Sequence, residues 1–170
     1  MNKKRLIRIL GTVIFVECAA MLPALGISMY TRDQSAVRGF LTTMILMLVV
    51  AGAMLIHSRK AGHRMSTWED VICTGLCWLE LSVLGALPLF ISGQVPSFVD
   101  SLFEITSGFT TTGASVISDV EKLGKGILLW RSFSHWLGGM GVLAFFLAIL
   151  PAKGNDNGYS IDLRSEEQSS

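Results

Sequence analysis

The chain has 170 residues, of which 51% are apolar and only 16% charged, and its mean hydropathy is +0.53. Soluble domains carry about 25% charge, so the composition points to a bilayer rather than to a water-soluble globule. A net charge of +1 offers no basic field to a nucleic acid, which sets that partner aside.

A helix that crosses about 30 Å of hydrocarbon needs roughly 20 apolar residues. Four segments qualify in chain order: Leu6 to Tyr30, Gly39 to His57, about Asp70 to Ser92, and about Gly126 to Leu150. The first begins with Lys3, Lys4 and Arg5, as a secretory signal would, but its apolar run is too long and Glu17 interrupts it. It is expected to be retained. Cys18, Cys73 and Cys77 all lie inside these spans, and their odd number frames neither a disulfide scaffold nor a zinc site. Basic residues concentrate before the first span and between the second and third, at Arg59, Lys60 and Arg64. That bias places both termini in the cytoplasm of a multi-pass membrane protein.

The stretch from Gly93 to Lys125 must then start and finish outside. It is too short to cross twice, yet it contains an apolar helical segment. Ser97-Phe98-Val99-Asp100 matches a helix start with Pro96 just ahead of it. The helix is predicted over Phe98 to about Ser107, roughly 15 Å long, which reaches only the midplane. Asp100 and Glu104 lie toward its amino-terminal end, where the helix dipole favours acids. Gly108 is read as the terminator. Ser107 to Ser115 then forms a Thr/Gly-rich loop at membrane depth, where irregular backbone must be buried or line a water-filled cavity. Carbonyls held at that depth can replace the water shell of a cation. A short surface helix followed by a polar turn is the alternative.

The run from Asp100 to Ser115 resembles the first pore loop of the Trk/Ktr/HKT potassium transporters. Leu129-Trp130-Arg131-Ser132 and His135-Trp136-Leu137-Gly138-Gly139-Met140-Gly141 resemble the helix that follows it in that family. Two spans ahead of the pore unit resemble the bacterial Trk-type membrane subunit. The resemblance implies an all-α integral membrane fold with four spanning helices plus one re-entrant pore helix and filter loop. This would be the first of four helix-pore-helix repeats. By matching position, the filter is Thr111, Thr112, Gly113 and Ala114, with potassium held at Thr111, Thr112 and Gly113 through backbone oxygen. Asp100, Glu104, Ser107 and Gly108 would support the pore helix. Potassium is then a transported substrate, and no cofactor is expected. The implied partners are the remaining repeats, a second copy in a homodimer, a cytoplasmic nucleotide-binding regulatory subunit and the lipid bilayer.

Three units follow: a two-helix membrane unit over residues 1–64, the helix-pore-helix repeat over 65–152, and a polar cytoplasmic tail over 153–170. One pore unit where four are needed marks the chain as a truncated part of such a transporter.

Several charged or polar residues lie within spans, among them Glu17, Glu80, Arg131 and His135. At 1.5 Å per residue, Glu17, Glu80 and His135 all fall near the midplane, about 14–16 Å from a membrane edge. Unpaired acids are unfavourable at that depth. Glu80 and His135 are therefore expected to pair across helices, or else each acid bonds a neighbouring carbonyl as its protonated form. Arg131 is expected to snorkel to the outer interface. Ser134, Gly138, Gly139 and Gly141 suit close helix packing. Two other functional classes compete with transport. One is a membrane enzyme using Glu80 and His135, and the other is a membrane adaptor that conducts nothing.

Overall fold

The computed structural model describes residues 3–58 and 67–149, and among them there are helices but no strand. The predicted tail, residues 153–170, and the basic loop with Arg59, Lys60 and Arg64 lie outside the described residues. The helices are α1 (Lys3–Ala20), α2 (Leu22–Tyr30), α3 (Gln34–His57), α4 (Thr67–Ile91), α5 (Phe98–Phe109) and α6 (Lys125–Ile149). A single 3₁₀ turn at Val120–Lys122 precedes α6.

The first predicted span is two helices in succession. Pro23 sits in the opening turn of α2, where it cannot donate to the carbonyl four residues back and its ring crowds that carbonyl. Met21, at the junction, keeps a helical conformation and donates to Glu17 O at 3.1 Å. The helical path therefore continues through the break. Lys3–Tyr30, Gln34–His57 and Val71–Ile91 are each long and apolar enough to cross a membrane. At 25 residues α6 is equally long, about 37 Å, but Arg131 and His135 make its first half more polar.

α1 packs on α3 and α4, α2 packs on α3 and α6, and α5 is held between α4 and α6. Small residues set the closest crossings. A Cβ on Gly39 of α3 would come 2.7 Å from Pro88 O of α4, and one on Gly126 of α6 equally near Ala24 O of α2. Phe40, Met47, Leu89, Ile105, Phe109, Ile127 and Trp130 are fully buried between these helices. Buried hydroxyls satisfy themselves on their own helix, Ser28 on Ala24 O and Thr43 on Gly39 O, both at 2.8 Å.

Three connections meet at one end of the bundle and are tied by two side chains. Asp33 caps α3 by accepting the Ala36 N–H at 3.1 Å and the Ser35 hydroxyl at 2.7 Å. Gln94 donates to the other Asp33 oxygen at 2.7 Å, while its own carbonyl accepts the Gly124 N–H at 2.6 Å. The chain therefore leaves α4 and re-enters α6 at the same place. Burial pushes the Asp33 carboxyl up, but the bonds from Ser35, Ala36 and Gln94 outweigh it and hold the group below its usual range. Its stabilising contribution is thus complete above the ordinary aspartate value of 3.8 and fades as pH falls through the lower folded value. Asp33→Asn is expected to unfold at a lower temperature than wild type at neutral pH. The gap should close in acid, and a gap that widens as pH falls would contradict the clasp.

Candidate functional site

α5 begins where the sequence places it. The Ser97 side chain accepts the Asp100 N–H at 3.3 Å, and Asp100 is the acid of the first turn. The end differs from expectation. α5 runs on through Gly108 to Phe109, because Gly108 is a packing position rather than a terminator. Ser134 Oγ of α6 lies so close to it that no Cβ would fit, and His135 Nδ1 is also near, 3.2 Å from the Cβ position.

The helix is closed by Thr111 instead. The Thr111 N–H bonds Gly108 O and the Thr112 N–H bonds Ser107 O, both at 2.9 Å. This pair is a Schellman closure, and it requires a left-handed residue at Thr111, whose φ is +57°. A β-branched residue is strained there, by about 1–2 kcal/mol. Gly113 follows at φ +75°, a conformation glycine adopts without penalty.

Ser107 organises the loop beyond. Its carbonyl takes the Thr112 N–H and, at 3.4 Å, the Gly113 N–H, and its hydroxyl donates to Ala114 O at 2.7 Å. The amides of this segment are therefore turned toward the helix end. The carbonyls of Thr111, Thr112 and Gly113 accept no hydrogen bond from the described residues. Residues 110–116 are exposed, and a Cβ on Gly113 would meet open space.

Glu104 anchors the far side of the loop. It sits in the middle of α5, fully buried, not at the outer end where a dipole argument would place it. One carboxylate oxygen accepts the Ser115 hydroxyl and the Val116 N–H, both at 2.6 Å, and the Ile117 N–H at 3.2 Å. The other accepts Arg131 Nε at 2.7 Å. Arg131 therefore does not snorkel. Its side chain is only 17% exposed, because a buried carboxylate that already holds three neutral donors still lacks a countercharge.

Glu80 and His135 do not pair. His135 faces α5 and its Nδ1 lies 2.9 Å from Arg131 O on its own helix. Glu80 Oε2 and both Glu17 oxygens are buried without a hydrogen-bond partner, and Glu80 lies within electrostatic range of Glu17. Trp130, whose Nε1 donates to Gly85 O at 2.8 Å, meets Phe109 edge-to-face at 6.3 Å and so ties α6 to both α4 and α5. Sequence reasoning did not single out Gln94, Ser115 or Gly85. Ser115 lies inside the loop motif, whereas Gln94 and Gly85 carry no local signal.

Residues 37–170 match the family model TrkH, described as a cation transport protein. The chain belongs to the TrkH family. It is 34% identical over 145 residues to the Trk system potassium uptake protein TrkG of Escherichia coli (strain K12), covering 85% of this chain and 30% of that protein. It is 33% identical over 155 residues to the Trk system potassium uptake protein TrkH of Halomonas elongata, covering 91% and 32% respectively. Its fold is similar to the crystal structure of the potassium transporter TrkH from Vibrio parahaemolyticus. The TM-score is 0.82 at 33% identity, over 92% of this chain and 33% of that one. The chain thus spans about a third of the length of these TrkH-family relatives.

Proposed function

We propose that this chain is the amino-terminal part of a Trk-type subunit that conducts potassium across the plasma membrane, and that residues 98–116 form its first pore helix and filter loop. The observation that carries this reading is the row of three unclaimed carbonyls at Thr111, Thr112 and Gly113. They follow a short helix whose carboxyl end bears partial negative charge, and their amides are drawn away toward the Ser107 and Gly108 carbonyls. Uncharged oxygens hold a cation weakly enough to release it, which conduction requires. Ala114, whose carbonyl already accepts the Ser107 hydroxyl, retains one lone pair for the same site.

In this reading α6 is the fourth crossing, and the Gln94–Gly124 tie holds both ends of the re-entrant segment on the outer side. Residues 1–64 form a flanking membrane unit, 65–152 the first repeat, and 153–170 a cytoplasmic tail. The exposed loop is covered by the remaining repeats. A homodimer and a cytoplasmic nucleotide-binding regulatory subunit complete the assembly. The chemistry is transport and no bond is made or broken.

The filter is tested in the full-length transporter. Gly113→Ser forces a side chain into a left-handed backbone position, so the carbonyls on either side should leave the common axis. Sodium should then compete with rubidium uptake, and growth on limiting potassium should fail. Thr112→Ser keeps backbone and hydroxyl and should change ion preference far less. Unchanged preference in Gly113→Ser together with altered preference in Thr112→Ser would place the filter elsewhere.

A further inference from the structure

Away from the loop, a cavity of about 330 Å³ opens between α1, α4, α6 and the end of α5. Its size is that of a small-molecule site. Val16, Leu81, Phe109 and Leu137 supply apolar wall and Trp78 an aromatic face. Glu17 lines it from α1, 1% exposed, with neither carboxyl oxygen hydrogen-bonded. Gly85 leaves that carboxyl its space, since a Cβ there would stand 2.9 Å from Glu17 Oε1. A second acid, Glu80, whose Oε2 is also buried without a hydrogen-bond partner, lies within electrostatic range. No cationic side chain among the described residues lines the cavity.

A buried carboxyl without donors is unfavourable, so the complementary occupant brings N–H groups. An ammonium brings three and is also attracted to the faces of Trp78 and Phe109. An apolar body fills the rest. We propose that this cavity binds a lipophilic primary ammonium, with its cationic head on Glu17 and its hydrocarbon or aryl body against Trp78, Leu81 and Leu137. Such a ligand would sit directly behind the carboxyl end of α5, because Phe109 is part of the wall. It would therefore reach the filter loop through the helix and not through the pore.

The probes are para-fluorobenzylamine and its isosteric alcohol, para-fluorobenzyl alcohol, followed by fluorine NMR with the full-length transporter in detergent micelles at neutral pH. The amine is expected to bind at least about tenfold more tightly than the alcohol, because only it offers charged donors to Glu17. Glu17→Gln should bring the two to similar affinity. Ala20→Phe, which fills the cavity from α1 and leaves Glu17 in place, should abolish binding of both, and it serves if Glu17→Gln is not recovered folded. Equal binding of amine and alcohol by wild type would mean apolar occupancy only and would overturn the proposal. So would binding of neither probe, or amine binding that survives Ala20→Phe.

Discussion

Glu104→Ala is expected to remove about 3–5 kcal/mol of stability, a large part of what a domain of this size possesses. The carboxylate is fully buried and holds four donors at once: Arg131, the Ser115 hydroxyl and two backbone amides. Truncation leaves a guanidinium uncompensated between α5 and α6 and strands the amides of Val116 and Ile117. Glu104→Gln keeps one acceptor oxygen for the loop but offers Arg131 no countercharge, so it should fall between alanine and wild type. Thermal unfolding in detergent measures the series, and an alanine variant as stable as wild type would sink the anchor. Glu104→Leu combined with Arg131→Met separates the two roles of the site. Replacing both members of a buried ion pair by apolar residues is often neutral for stability. The double variant should therefore fold, while the 115–117 segment, deprived of its acceptor, loses its fixed path. In the full-length transporter that would appear as poorer discrimination against sodium with normal expression.

Gly138→Ala is expected to be the most damaging single methyl in α6. The new Cβ would overlap the carbonyl oxygen of Phe109 and lie 2.7 and 2.8 Å from its C and Cα. Those are backbone atoms of the last residue of α5, and they cannot rotate aside as a side chain can. Relief requires α5 and α6 to separate, which loosens the Phe109–Trp130 contact and shifts the turn carrying Thr111. Overpacking of this kind costs about 1–3 kcal/mol, and more where backbone must move. Gly139→Ala is the control. Its Cβ would meet only Thr111 Cγ2 at 3.9 Å, an ordinary contact. Exchanging a mid-helix glycine for alanine there should be neutral or stabilising by about 0.5–1 kcal/mol. Melting temperatures decide the matter: equal effects at 138 and 139 would show that the α5–α6 approach is not as close as described.

Much of the fold was legible because the bilayer and the α-helix each write a strong local signal. Long, largely apolar runs located the long helices to within a few residues, and Ser97 with Asp100 located the start of α5. Pro23 divided the first span in a way that apolarity alone could not show. At the site, positive φ at Gly113 was readable from residue type, since glycine after a threonine run has few other uses. The end of α5 was misread for the same reason. Gly108 looked like a terminator, but glycine serves close packing as well as left-handed turns, and only the position of Ser134 distinguishes the two.

What the sequence determined by itself was the apolar surroundings, the long helices and the start of α5, because each depends on residues within a few positions of one another. The tertiary structure decided the partners of the charged groups. Glu104 and Arg131 are 27 positions apart and Asp33 and Gln94 are 61 apart, and nothing in either neighbourhood announces the other. Glu80 and His135 were a plausible pair by depth alone, but depth fixes only one coordinate of a side chain. The rotation of each helix about its axis fixes the others, and it turned His135 and Arg131 toward α5. That rotation is set by which small residues let helices approach closely, at Gly39, Gly108, Gly126 and Gly138, and it emerges only when all the helices pack at once.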